Sequence, residues 1–117
     1  MQVDNAFIAQ PKGLSKKGRQ AYRAIVDALR KHGLVYTGGG RAFYSPKEWK
    51  DRGEDYGTES QLVVVYDGGD LFYVFNSSMH SEFEKPANVR EEIDKRLADF
   101  GLYVEECTGW YAAVYEI

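Results

Sequence analysis

Cysteine is almost missing from this chain: Cys107 is the only one in 117 residues. A single thiol cannot close an internal disulfide and offers no CxxC pair for a metal, which fits a reducing compartment. Long apolar runs are missing too. No window approaches the roughly 18 apolar residues of a membrane span, and the opening MQVDNAFIAQPKG has no basic segment leading into an apolar one. The expectation is a soluble, cytoplasmic protein with no membrane contact. Histidine is scarce, and neither GK[ST] nor GxGxxG accompanies any glycine run. No cofactor is expected.

What remains suits one folded domain. The chain is 44% hydrophobic and 15% aromatic, well above disordered segments, and is long enough for a core that neither metal nor disulfide has to hold. Its net charge of −3 hides an asymmetry. Residues 1–50 carry ten Lys/Arg against three acids, a net of +7; residues 51–117 carry five against fifteen, a net of −10. A basic face can meet nucleic acid or an acidic protein, whereas an acidic face repels phosphate. The plain alternative is two solvated faces of opposite sign that help the halves pack.

Residues 1–14 read as an N-terminal arm, partly mobile, and residues 15–117 as a single α+β domain. From Ser15, SKKGRQAYRAIVDALRKHG sets Tyr22, Ile25, Val26 and Leu29 at helical spacing, with Lys31 and His32 in the last turn and Gly33 beyond it. This predicts an amphipathic helix with a glycine cap. LVY and AFY, on either side of the glycine run, read as strands. Ser45-Pro46-Lys47-Glu48 is a capping box with proline in the first turn, so a short helix should run to Gly53. QLVVVY is apolar and β-branched, the pattern of a strand buried on both faces. Asp67-Gly68-Gly69-Asp70 then predicts a tight turn, with LFYVF returning as the hairpin partner. NSSMHSEFEKP is a polar connector, and Asn88 with Glu91 forms the cap signal of a last helix whose Val89, Ile93, Leu97 and Phe100 line one face. LYVEECTGWYAAVYEI closes the chain as two strands joined at Cys107-Thr108-Gly109.

AIVDALRKHGLVYTGGGRAFY and EIDKRLADFGLYVEECTGWYAAVY share one order of parts: helix, capping glycine, strand, turn, aromatic strand. The reading is a helix-hairpin pseudo-repeat around the LVVVY strand, with a mostly antiparallel sheet, two amphipathic helices and one short one, largely on one face.

The run Gly38-Gly39-Gly40-Arg41 invites a phosphate-cradle reading. Such a cradle leads from a strand into a helix N-terminus, but here the glycines lead into AFY. They read as a turn with Arg41 at its tip. A nucleophile would need Cys107 with His80 or His32, yet Glu105 and Glu106 beside the cysteine oppose a thiolate. Asp67, Asp70 and His80 have no further ligand at metal spacing. No catalytic residue, metal ligand or cofactor contact is therefore assigned.

Binding surfaces remain. Interaction candidates are Arg41, Trp49, Tyr73, His80, Glu91, Glu92, Asp94, Trp110 and Tyr111, because Tyr, Trp and Arg dominate interface hot spots and the acids form a charged face. A basic surface would use Lys16, Lys17, Arg19, Arg23, Arg30 and Lys31, with Tyr22 or Tyr36 available for stacking.

The block GGGRAFYSPKEWKDRGEDYGTESQLVVVYDGGDL, with its GG, FYSP, EW, RG, YG, LVVV and DGG, resembles a family of small uncharacterised bacterial proteins found in plasmid and phage surroundings. GLYVEECTGWYAAVY is similar to that family's closing segment, so the resemblance spans most of residues 33–117. It implies bacterial origin and a role in the contest between a mobile element and its host. It implies no catalytic residues. The expected function is a non-enzymatic domain acting through protein–protein contact, such as an inhibitor or modulator of a host nuclease or defence complex whose acidic half imitates nucleic acid. The alternative is a nucleic-acid-binding module using the first helix.

Overall fold

The computed structural model describes residues 7–80 and 82–117. Its strands are β1 Phe43–Tyr44, β2 Leu62–Val65, β3 Leu102–Glu106 and β4 Tyr111–Glu116. They form one antiparallel sheet in the order β1-β2-β4-β3. Among the described residues the helices are α1 Lys16–Lys31, α2 Pro46–Asp51, α3 Gly69–Phe75, α4 Ser77–His80 and α5 Glu84–Ala98. The architecture is α+β in a single globule, as the sequence pattern indicates.

β2 sits between two partners and is buried on both faces, which is why its sequence is apolar without alternation. Leu62 and Val64, opposite Val114 and Ala112, belong to the main core with α1, α3 and α5. Val63 points the other way, into a smaller cluster with Trp49 of α2 and Tyr111. The helices therefore lie largely on one face, with α2 on the other. α1 begins at Ser15, whose Oγ accepts from the Gly18 N–H at 3.0 Å. A Cβ at Gly18 would collide with the Gln61 carbonyl oxygen, so this glycine lets α1 approach the start of β2. The capping box is complete: Ser45 Oγ accepts from Glu48 N, and Glu48 Oε1 accepts from Ser45 N at 2.9 Å.

Four local expectations need correction. LFYVF is not a strand but most of α3. Both flanks of β2 are already taken by β1 and β4, and Leu71, Val74 and Phe75 bury one helical face. LVY is not a strand either, and β1 pairs with β2 instead. The Tyr36 N–H donates to Asp70 Oδ2 at 3.1 Å and its carbonyl accepts from Asp70 N at 2.7 Å. Those groups are thus engaged at the start of α3. The first helix-hairpin unit therefore lacks its hairpin, while the second forms one. The last helix starts at Glu84, not after Asn88, because Pro86 falls in its first turn, where an amide donor is not needed. Phe100 lies past the end of α5 and is 39% exposed, unlike the fully buried Val89, Ile93 and Leu97.

The expectation for the arm at residues 1–6 lies outside the described residues. Beyond it, the Phe7 carbonyl accepts from the Ala42 N–H at 2.9 Å. Ile8 is buried in the core, and its carbonyl accepts from the Tyr22 hydroxyl at 2.6 Å.

Candidate functional site

The glycine run does two jobs in the fold, neither of them a cradle. Gly38 and Gly39 take positive φ, and Gly38 packs against Gly68 and Gly69 so closely that a Cβ on Gly69 would lie 2.5 Å from Gly38 N. The run is a docking point between two loops. Arg41 is not an open tip: its guanidinium grips Glu48 with two 2.8 Å hydrogen bonds and lies 4.2 Å over the Tyr44 ring. The hydrogen bond from Arg41 holds the Glu48 carboxyl below its usual range.

The aromatic candidates divide by burial. Trp49 and Tyr111 are core residues, 0% and 2% exposed, with ring centroids 4.9 Å apart; they present no surface. Trp110 is half-buried against Trp49. Tyr73 is exposed, and with Phe83, Lys85 and Pro86 it lines a shallow apolar hollow of about 440 Å³. The Tyr73 and Phe83 rings meet edge to face at 5.6 Å. His80 ends α4; the expectation placed on its side chain lies outside what is described.

The acids of α5 are engaged with cations. Glu92 meets His32 Nε2 at 2.8 Å, Arg96 at 2.7 Å and Lys31 at 3.5 Å. Its carboxyl is held down to about 2, first by the His32 hydrogen bond and then by Arg96 and Lys31. Asp94 pairs with Arg90 at 3.1 Å and Glu91 with Lys95 at 3.9 Å. The carboxylates that gather elsewhere, Asp55, Glu59, Glu105 and Glu106, surround a hollow of about 390 Å³ with Cys107 and Tyr115. Burial, then Glu105, pushes the Cys107 thiol up, the wrong direction for a nucleophile. Among the described residues no group of three His, Cys, Asp or Glu could hold a metal, and no helix is long and apolar enough to cross a membrane.

The basic candidates converge better. α1 and α5 pass in opposite directions: His32 at the end of α1 meets Glu92, while Lys17 near its start donates to the Phe100 carbonyl at 2.5 Å. Between the first half of α1 and the end of α5 lies an open groove of about 560 Å³. Lys16, Arg19, Gln20, Arg23, Ala24 and Asp27 line it from α1, and Arg96, Asp99 and Phe100 from the other side. Lys16 and Arg19 have no carboxylate partner among the described residues; Arg19 donates to the Leu14 carbonyl at 2.9 Å, and Arg23 reaches Asp27 only at 3.9 Å. Lys31 is engaged by Glu92, and Arg30 is not part of the groove's lining. Three of the six basic candidates thus share one concavity. Sequence reasoning missed Gln20, Arg96 and Phe100. Arg96 looks like a solvated i,i+4 partner, Phe100 like a core residue, and only the packing of α5 on α1 brings them to Lys16 and Arg23.

No family model matches the chain, and no curated protein or solved structure matches it.

Proposed function

We propose that the protein is a non-enzymatic binding domain whose ligand is nucleic acid, held by the groove between α1 and α5. The observation that carries this reading is the gathering of Lys16, Arg19, Arg23 and Arg96 around one open concavity of about 560 Å³, two of them without any carboxylate partner among the described residues. Unpaired cations lining a groove supply the counterion-releasing contacts that dominate nucleic-acid affinity. The overall negative charge is met in part: Glu91, Glu92 and Asp94 of α5 are paired with cations and the acidic hollow is built from other elements, while four cations against the carboxylates of Asp27 and Asp99 leave the groove's own lining net positive. A cytoplasmic setting gives such a domain access to its ligand.

The test is binding of a labelled oligonucleotide across a salt series. Changing Lys16, Arg19 and Arg23 to glutamine should weaken binding and reduce the log–log salt slope by roughly two, since each neutralised phosphate adds about 0.7–0.9 to it. An unchanged slope in a variant that melts like the parent sinks the reading.

A second reading rests on the Tyr73–Phe83 hollow, an exposed aromatic patch with Pro86 and Lys85. It suits a protein partner, and in the mobile-element setting that the sequence resemblance implies, the partner would be a host nuclease or defence complex. The acidic-mimic form of that idea has less support, since Glu91, Glu92 and Asp94 are all paired with cations. A stoichiometric partner that survives nuclease treatment and about 0.5 M salt, and that Tyr73→Ser no longer retains, would favour this reading over the first.

A further inference from the structure

The lining of the α1–α5 groove is divided, and the division specifies more than a negative ligand. Cations come from Lys16, Arg19 and Arg23 on α1, with Arg96 across from them. Phe100 stands in the same groove, 39% exposed, with no aromatic partner among the described residues. Beside it are acceptors. Asp99 and Asp27 contribute carboxylates, and Gln20 contributes an amide whose Oε1 is buried without a hydrogen-bond donor. An acceptor left unpaired out of water costs free energy that a donor restores. Turning the Gln20 amide toward the groove gives up no hydrogen bond at that oxygen.

We infer that the groove seats one unpaired nucleobase of a single strand. This rests on the nucleic-acid reading above and deepens it. The neighbouring phosphates lie along Lys16, Arg19 and Arg23, the base stacks on Phe100, and its edge meets Gln20 and Asp99. Base stacking on an exposed aromatic beside a cationic track is how single strands are held without a duplex. A duplex hides both the base face and its pairing edge, so it cannot use Phe100 or Gln20. Because Gln20 Oε1 lacks a donor and Asp99 is a carboxylate, the base that fits offers an amino group on its edge: cytosine rather than thymine, which presents a carbonyl at the same position. The volume of about 560 Å³ is of the size that holds a small ligand, and one nucleotide fits within it.

The test uses the full chain and fluorescence anisotropy at about 0.1 M salt. The probes are labelled strands of about ten nucleotides, within single-strand site sizes: oligo-dC, oligo-dT, an abasic strand of equal length, and a duplex. Oligo-dC should bind about fivefold tighter than oligo-dT, the effect of one or two hydrogen bonds, and about tenfold tighter than the abasic strand. Phe100→Ala should bring oligo-dC to the abasic level while leaving abasic binding unchanged, and Gln20→Ala should erase the preference for dC over dT. Equal affinity for all four probes, with a steep salt dependence, would overturn the base seat and leave the nucleic-acid reading standing. No binding to any probe would overturn both. Deoxycytidine monophosphate competing as strongly as the strand would assign the seat to a free nucleotide and overturn the single-strand version.

Discussion

The two helix-hairpin segments begin with the same order of parts and finish differently. After α5, Gly101 at φ +73° sends the chain into β3, which pairs with β4 from Leu102↔Glu116 to Glu106↔Ala112. After α1, Gly33 at φ +71° makes the same exit, yet Leu34–Tyr36 forms no strand. In the second segment the facing backbone groups of β3 and β4 pair with one another along the ladder. In the first, Asp70 takes the Tyr36 amide and carbonyl, and Phe7 takes the Ala42 amide. Phe43–Tyr44 pair with β2, and the Ala42 carbonyl accepts from Val65 N at 2.7 Å. Equal local patterns thus give unequal structure when backbone groups find nearer partners, since each must be satisfied somewhere.

That comparison is most sharply broken at the strands. Phe43 lies in a two-residue strand but is fully buried, edge-on to Tyr22 at 5.2 Å, whereas Tyr103 lies in the longer β3 and is 44% exposed at the sheet edge. Chemical denaturation should give about 3–5 kcal/mol of destabilisation for Phe43→Ala and no more than about 1 kcal/mol for Tyr103→Ala. Equal losses would mean that burial does not decide, and a larger loss at Tyr103 would assign the effect to strand length.

Turn glycines give the next contrast. Gly69→Ala places a methyl group against the Tyr36 carbonyl and 2.5 Å from Gly38 N, at φ +68°. It should cost about 2–3 kcal/mol through overpacking and strain. Gly109→Ala, in the turn of the second segment, meets nothing within 4 Å and should stay within about 0.5 kcal/mol of the parent. A mild effect at Gly69 would show that the loop does not dock on the start of α3.

The smallest expected effect tests the link between the two segments' helices. Glu92→Gln removes the carboxylate that His32, Lys31 and Arg96 surround. The side chain is a quarter exposed to water, so screening limits the loss to about 1 kcal/mol at neutral pH. A carboxyl whose folded value is depressed stabilises the protein above its ordinary value and loses that contribution as the pH falls. The parent's advantage over the variant should therefore be complete above about 4.5 and vanish on approaching about 2. An advantage independent of pH in this window would assign the effect to packing rather than charge.

Much of the first helix and the α2 cap is legible in sequence because both are local. Ser15, the apolar spacing through Leu29, and the Ser45–Glu48 box act within a few residues. The identity of β2 is legible for a related reason, since a strand buried on both faces must be apolar throughout. LFYVF is not legible in this way. Its aromatic and β-branched composition suits a strand, and only the occupied flanks of β2 and the bonds between Tyr36 and Asp70 make it a helix. The candidate groove is half legible: the cations of α1 stand out in composition, while Gln20, Arg96 and Phe100 carry no signal until α5 lies across α1.

By itself the sequence determined one α+β domain, its two amphipathic helices, its central strand, and a basic first half followed by an acidic second half. Those follow from periodicity, caps and charge, which act at short range. The tertiary structure decided which of two matching segments closed into a hairpin, which aromatics became core, and which charges were consumed in ion pairs. It also decided that three cations of α1 share a groove with an exposed ring. Each of these depends on distant backbone and side-chain groups competing for the same partners, and that competition is resolved only once the chain is packed.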